Sequence, residues 1–220
     1  MRRYRQGVSW TPARAWHAIT AVVVLAAFVL QVVLVVQGDA ILVEDDPPGL
    51  GLRLARFIAY FTIQSNLLVA VASVLLIRDP HRDGAVFRSL RLAGIVGITV
   101  TGLVHFFLLR PLLELEGASY VADKLLHMAV PVVAVIGWVA FGPRRRVDGA
   151  AIAVSFAWPI AWLAVTLSVA GGTRWVPYPF LNFRVEGWAH VGAVCVGITA
   201  LFAVVIGLCH YADRHLRPAH

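Results

Sequence analysis

The sequence predicts an all-α polytopic membrane protein: one bundle of six transmembrane helices spanning residues 1–220, with both termini cytoplasmic. Three observations predict it. Of 220 residues, 60% are apolar and only 14% charged, against about 45–50% apolar and about 25% charged in water-soluble domains. The apolar residues gather into six runs, near 16–36, 54–77, 91–109, 124–142, 149–170 and 189–211. Each is close to the roughly 20 residues a helix needs to cross a bilayer core about 30 Å thick. Thirteen of the 19 Lys and Arg residues fall on one side of these runs and eight of the 12 acids on the other, which by the positive-inside rule makes the basic side cytoplasmic.

The same arithmetic excludes other classes. Disorder is incompatible with this hydrophobicity, and collagen requires a glycine period that is absent. A disulfide scaffold cannot be built from Cys195 and Cys209, which share one apolar run and would stand roughly 20 Å apart on a helix. The net charge of +7 raises the question of nucleic acid. Every basic cluster, Arg144–Arg146 included, flanks a predicted span, where it serves topology and anionic headgroups. No nucleic-acid partner is expected.

The first run follows Arg2, Arg3, Arg5 and Arg14. At about 20 residues, without a clear small-x-small cleavage site, it reads as a retained span rather than a signal peptide. The second carries Phe61-Thr62-Ile63-Gln64-Ser65-Asn66, a dense polar group in which Thr62, Ser65 and Asn66 share a helix face. In the third, Ala93, Gly94, Gly97 and Thr101 permit close helix approach, and His105 follows. The fourth opens with Asp123-Lys124-Leu125-Leu126-His127 and continues to Pro131. Asp123 lies one helical turn before His127 and can fix its tautomer, and Pro131 deprives the His127 carbonyl of its usual partner. The fifth run bears no ionisable group. After it comes Trp175-Val176-Pro177-Tyr178-Pro179-Phe180-Leu181-Asn182, and the sixth run contains His190.

Polar and ionisable groups within spans are costly unless they face the bundle interior. With the termini inside, Thr62, His105, His127 and His190 all fall in the outer half of the membrane and are expected to share one cavity. The aromatic loop, through Tyr178, Phe180 and Asn182, is placed to cover it as a lid. Packing roles compete with these readings: Thr and Ser bond back to helix carbonyls, Asn and Gln join helices, and Trp–Tyr loops form interfacial belts.

The ordered set Tyr60-Phe61-Thr62-Ile63-Gln64-Ser65-Asn66, Leu126-His127-x-x-x-Pro131 and Trp175-Val176-x-Tyr178-Pro179-Phe180-Leu181 resembles the androgen-induced gene 1 family, most closely its bacterial six-span relatives. Animal members are intramembrane hydrolases of fatty acid esters of hydroxy fatty acids. The resemblance implies Thr62 as nucleophile and His127 as its base, acting on a lipid or fatty acyl ester without a cofactor. Gln64-Ser65-Asn66 and the Asp123-Lys124 pair depart from the animal pattern. Asn66, Ser65 and Gln64 are the candidate oxyanion donors, with Asp123, His105 and His190 in support. Two other readings stand beside the hydrolase: a non-catalytic protein that binds or moves a lipid, and a zinc or haem protein ligated by His105, His127 and His190. A Thr62 hydroxyl within reach of His127 favours hydrolysis; three converging imidazoles favour a metal.

Overall fold

Helix α1 starts where its sequence supplies a start: the Thr11 hydroxyl accepts the Arg14 N–H at 3.3 Å and Pro12 occupies the first turn, where it needs no partner. It runs Pro12–Gln37 and stops at Gly38, whose φ of 99° a side chain would resist. A computed structural model describes residues 10–38 and 48–217. The remaining helices are α2 (Leu50–Ala59), α3 (Phe61–Arg78), α4 (Ala85–Val104), α5 (Gly117–Lys124), α6 (Val130–Phe141), α7 (Gly149–Thr173) and α8 (Gly187–His215). Helix α4 continues through a π turn at His105–Leu109 and a 3₁₀ turn at Arg110–Leu112, and a π turn at Leu125–Ala129 joins α5 to α6. There is no strand among the described residues.

Six of these helical units are long and apolar enough to cross a membrane: Pro12–Gln37, Phe61–Arg78, Ala85–Leu112, Gly117–Phe141, Gly149–Thr173 and Gly187–His215. One expectation is corrected. The second apolar run is not a single helix over 54–77, because Tyr60 is extended (ψ 128°) and separates α2 from α3. The span therefore begins at Phe61. Arg2, Arg3 and Arg5, the acids Asp39, Glu44, Asp45 and Asp46, and His220 lie outside the described residues.

Helix α4 is the centre of the bundle. It packs on α3, α6, α7 and α8, while α1 packs on α3 and α6. Small residues allow the close approach: a Cβ on Gly94 would stand 3.1 Å from Leu68 Cβ, and one on Gly97 2.8 Å from the Trp158 ring. Helices α7 and α8 both lean on α4 but scarcely touch each other, so a cleft opens between them. Outward faces such as Val22, Leu25 and Val29 on α1 or Val196, Val204 and Leu208 on α8 are exposed and apolar, as lipid contact requires.

The basic end of the bundle is held by buried ions that satisfy backbone groups. Arg91 Nη1 donates to the Pro143 carbonyl at 2.9 Å, and Arg144 donates to the carbonyls of Trp138 and Val139 at the end of α6. Both guanidiniums lie over the Trp138 ring. Asp213 on α8 accepts the N–H groups of Arg146 and Val147 at 2.7 and 2.9 Å. Cations at carbonyl ends and an acid at free amides compensate the helix termini.

Candidate active site

The break at Tyr60 decides what Thr62 can do. As the second residue of α3, Thr62 has an amide with no carbonyl partner one turn earlier. No side chain caps this terminus locally. Tyr178, from the loop between α7 and α8, takes that role: its hydroxyl oxygen accepts the Thr62 N–H at 3.2 Å and lies 3.2 Å from Thr62 Oγ1. Trp162 Nε1 secures the preceding turn by donating to the Ala59 carbonyl at 2.8 Å. Burial pushes the Tyr178 phenol up from its ordinary value, so it remains a neutral hydroxyl.

On the other side, Thr62 Oγ1 stands 3.3 Å from His127 Nε2. His127 Nδ1 is 3.1 Å from the Asp123 carbonyl oxygen and 3.0 Å from Asp123 Oδ1. Both oxygens can only accept, so Nδ1 carries the ring proton and Nε2 presents its lone pair to the threonine hydroxyl. The aligned hydrogen bond goes to the carbonyl; Asp123 Oδ1 is left without an aligned donor and acts on the ring by charge. Asp123 is 6% exposed and Thr62 5%.

Two π turns bring the imidazoles together. His105 opens the π turn that extends α4, and His127 is the middle residue of the one between α5 and α6. The extra residue in each turn rotates the side chains that follow it, and such bulges recur at functional sites. A proline makes the second intelligible. In π geometry the Leu126 carbonyl would look to residue 131, which is Pro131 and has no N–H. Asn66 Nδ2 approaches that carbonyl at 3.4 Å and bonds the Thr62 carbonyl at 2.8 Å. The His105 and His127 rings stack at 3.9 Å and 11°, and His105 Nε2 is 3.3 Å from Asp123 Oδ1. Lys124 Nζ lies 3.1 Å from the other carboxylate oxygen.

Other expected site residues have different work. Ser65 Oγ donates to the Phe61 carbonyl at 2.8 Å, and Gln64 bonds the Ile58 carbonyl and Trp158 Nε1. With Asn66 committed as above, none of the three points a free donor at the nucleophile. The donor beside Thr62 Oγ1 is the Tyr178 hydroxyl, whose oxygen in turn holds the Thr62 amide N–H. His190 does not join the other histidines: it is exposed on α8, 4.0 Å from Glu186. Its face of α8 is turned away from the other two. Phe180 stacks on Tyr178 at 5.4 Å, whereas the Asn182 side chain accepts the Arg184 N–H and serves the loop's own turn.

Two cavities meet at Thr62. The larger, about 100 Å³, is walled by α4, α7 and α8 through residues such as Val104, Phe156, Leu163, Ile198 and Phe202. The smaller, about 40 Å³, is bounded by Tyr60, His105, Leu113, Asp123, His127 and Pro177. Thr62, Leu109 and Tyr178 line both. A hydroxyl with a base on one side, a buried carboxylate behind that base and a neutral phenol hydroxyl 3.2 Å from its own oxygen is competent for acyl transfer. One ring nitrogen from each of His105 and His127 and an Asp123 carboxylate oxygen also lie within 4.8 Å of one another, close enough to be considered as cation ligands. The sequence pattern does not disclose the Thr62 amide or the Tyr178 hydroxyl as donors, because both depend on the helix break. No family model, curated protein or solved structure matches the chain.

Proposed function

We propose that this chain is an intramembrane hydrolase of lipid or fatty acyl esters, with Thr62 as nucleophile and His127 as general base. One observation carries the proposal: Thr62 Oγ1 is 3.3 Å from a His127 Nε2 whose opposite nitrogen is held by Asp123. His127 takes the hydroxyl proton as Oγ1 attacks the ester carbonyl; the Tyr178 hydroxyl donates to the oxyanion, and the Thr62 amide, held at rest by the Tyr178 oxygen, turns to it as the second donor; His127 then returns the proton to the departing alkoxide. Water hydrolyses the acyl-threonine by the same route. No cofactor enters this scheme. The resemblance to the androgen-induced gene 1 family supports the same two residues. The basic loops support cytoplasmic termini, which put the site in the outer half of the membrane.

The test is hydrolysis of a panel of fatty acyl esters by the detergent-purified protein, comparing wild type with Thr62→Ala and His127→Ala after confirming that all three fold. Each substitution should lower kcat by about 10³-fold or more. Activity that survives Thr62→Ala overturns the assignment. An inactive wild type favours a lipid-binding protein that does no chemistry.

The three convergent ligand atoms favour a second reading, a divalent cation on His105, Asp123 and His127. The stacking of the two imidazoles counts against it. Rings only 11° from parallel direct their in-plane lone pairs side by side rather than at one point, so one ring would have to turn before both could bind a metal.

A further inference from the structure

We infer that the two cavities divide the substrate: the acyl chain lies in the larger chamber between α4, α7 and α8, and the leaving alcohol lies in the smaller chamber beside His105 and His127. The inference rests on the Thr62–His127 reading and follows from where the proton must go. When Thr62 Oγ1 bonds to the carbonyl carbon, its proton passes to His127 Nε2. When the bond between that carbon and the ester oxygen breaks, the same proton must reach the departing oxygen. That oxygen must therefore come within about 2.6–3.2 Å of Nε2. His127 lines the smaller chamber and is not part of the wall of the larger. The alcohol thus leaves on the smaller side, and the acyl chain, on the opposite side of the carbonyl carbon, extends into the larger.

The walls agree with the assignment. The larger chamber is faced mainly by aromatic and aliphatic side chains, with Thr62, Thr101, Tyr178, Cys195 and Thr199 bringing its few polar atoms. A largely apolar cavity of this order suits a hydrocarbon better than water. Its lining runs along α8 from Cys195 to Phe202, roughly 10 Å of helix, and it lies where α7 and α8 separate. A chain already in the bilayer can enter through that cleft. Water for the second step must also be activated by Nε2, so it enters through the smaller chamber after the alcohol has left. The acyl-threonine ester bond then breaks, Thr62 recovers its proton through His127, and a free fatty acid remains in the larger chamber.

Two measurements test the division. The first uses esters that vary acyl length and alcohol bulk independently, with Ile198→Trp filling the larger chamber and Leu113→Trp the smaller. Ile198→Trp should lower the ratio of long-acyl to short-acyl kcat/KM by about 10-fold or more and leave the ratio between bulky and small alcohols near that of wild type. Leu113→Trp should do the converse. Reversed effects, or equal effects on both ratios, overturn the assignment. The second measurement needs no turnover: a fatty acid with a terminal diazirine is photolysed with the wild-type protein and the cross-links are mapped by mass spectrometry. Cross-links within 156–163 and 195–202 support the acyl chamber. Cross-links at Leu113, Pro177 or Pro179, which line the smaller chamber alone, or none that unlabelled fatty acid displaces, overturn it. An ester panel that shows no hydrolysis would remove the Thr62–His127 reading, while the photolabel still decides which chamber takes the chain.

Discussion

The two ends of the bundle each bury charge, yet they use it differently. At the basic end, Arg91, Arg144 and Asp213 spend their hydrogen bonds on backbone: carbonyls at the close of α6 and amides of the loop before α7. At the other end, Thr62, His127, Tyr178, Asp123 and His105 address one another across four chain segments, and two cavities reach the threonine. On α4 the two clusters are marked by Arg91 and His105, about 20 Å apart along the helix. Burial of polar groups is common to both. What separates a structural cluster from a chemical one is that its polar atoms remain pointed at each other and at a space a ligand can enter.

Substitutions at the two ends should therefore have different consequences. The largest effect belongs to His127→Ala, which should reduce kcat about 10³-fold or more while melting temperature moves little, since the lost contacts are few. Tyr178→Phe comes next: removing the hydroxyl that faces Thr62 Oγ1 should lower kcat by about 10²-fold, with KM for the ester nearly unchanged. The basic end should behave oppositely. In Gly142→Ala the new Cβ would collide with Arg91 Nη2 and stand 2.8 Å from the Trp138 carbonyl. Overpacking there should cost about 1–3 kcal/mol of stability, read as a lower melting temperature in detergent with turnover per folded molecule preserved.

The smallest effect lies in the loops. Arg88 and Arg146 hold the Asp83 carboxyl below its ordinary value of 3.8. A depressed carboxylate contributes stability above about pH 4 and loses it as pH falls further. Asp83→Asn should therefore change the melting temperature slightly at pH 7, and the difference from wild type should shrink below pH 4. Melting curves across pH 3–7 check this.

The six spans were legible because hydrophobic length alone decides them. Their ends were less legible: the first run reads as 16–36, although Thr11-Pro12 and Gly38 bound the helix at Pro12–Gln37. The break at Tyr60 was not legible, since no proline or glycine marks it and the apolar pattern continues across it. With that break hidden, Thr62 read as a mid-helix residue and the bond of its amide to Tyr178 could not be anticipated, so Gln64, Ser65 and Asn66 stood as oxyanion donors. The pairing of Asp123 with His127 was visible in its spacing. The turn of His105 toward Asp123 depends on two π turns, and the outward turn of His190 on how α8 rotates against α4. Sequence gives depth along a helix through the rise per residue; rotation about the axis is set by packing.

A Thr62 nucleophile must pass through a covalent acyl-threonine intermediate. The wild-type protein would be mixed with a slowly deacylating fatty acyl ester, quenched in acid and digested, and the peptide containing residues 61–78 analysed by mass spectrometry. The prediction is one acyl group on Thr62, absent in Thr62→Ala and in His127→Ala. An acyl group on Ser65 instead, or steady ester hydrolysis with no acylated peptide at any quench time, would contradict it.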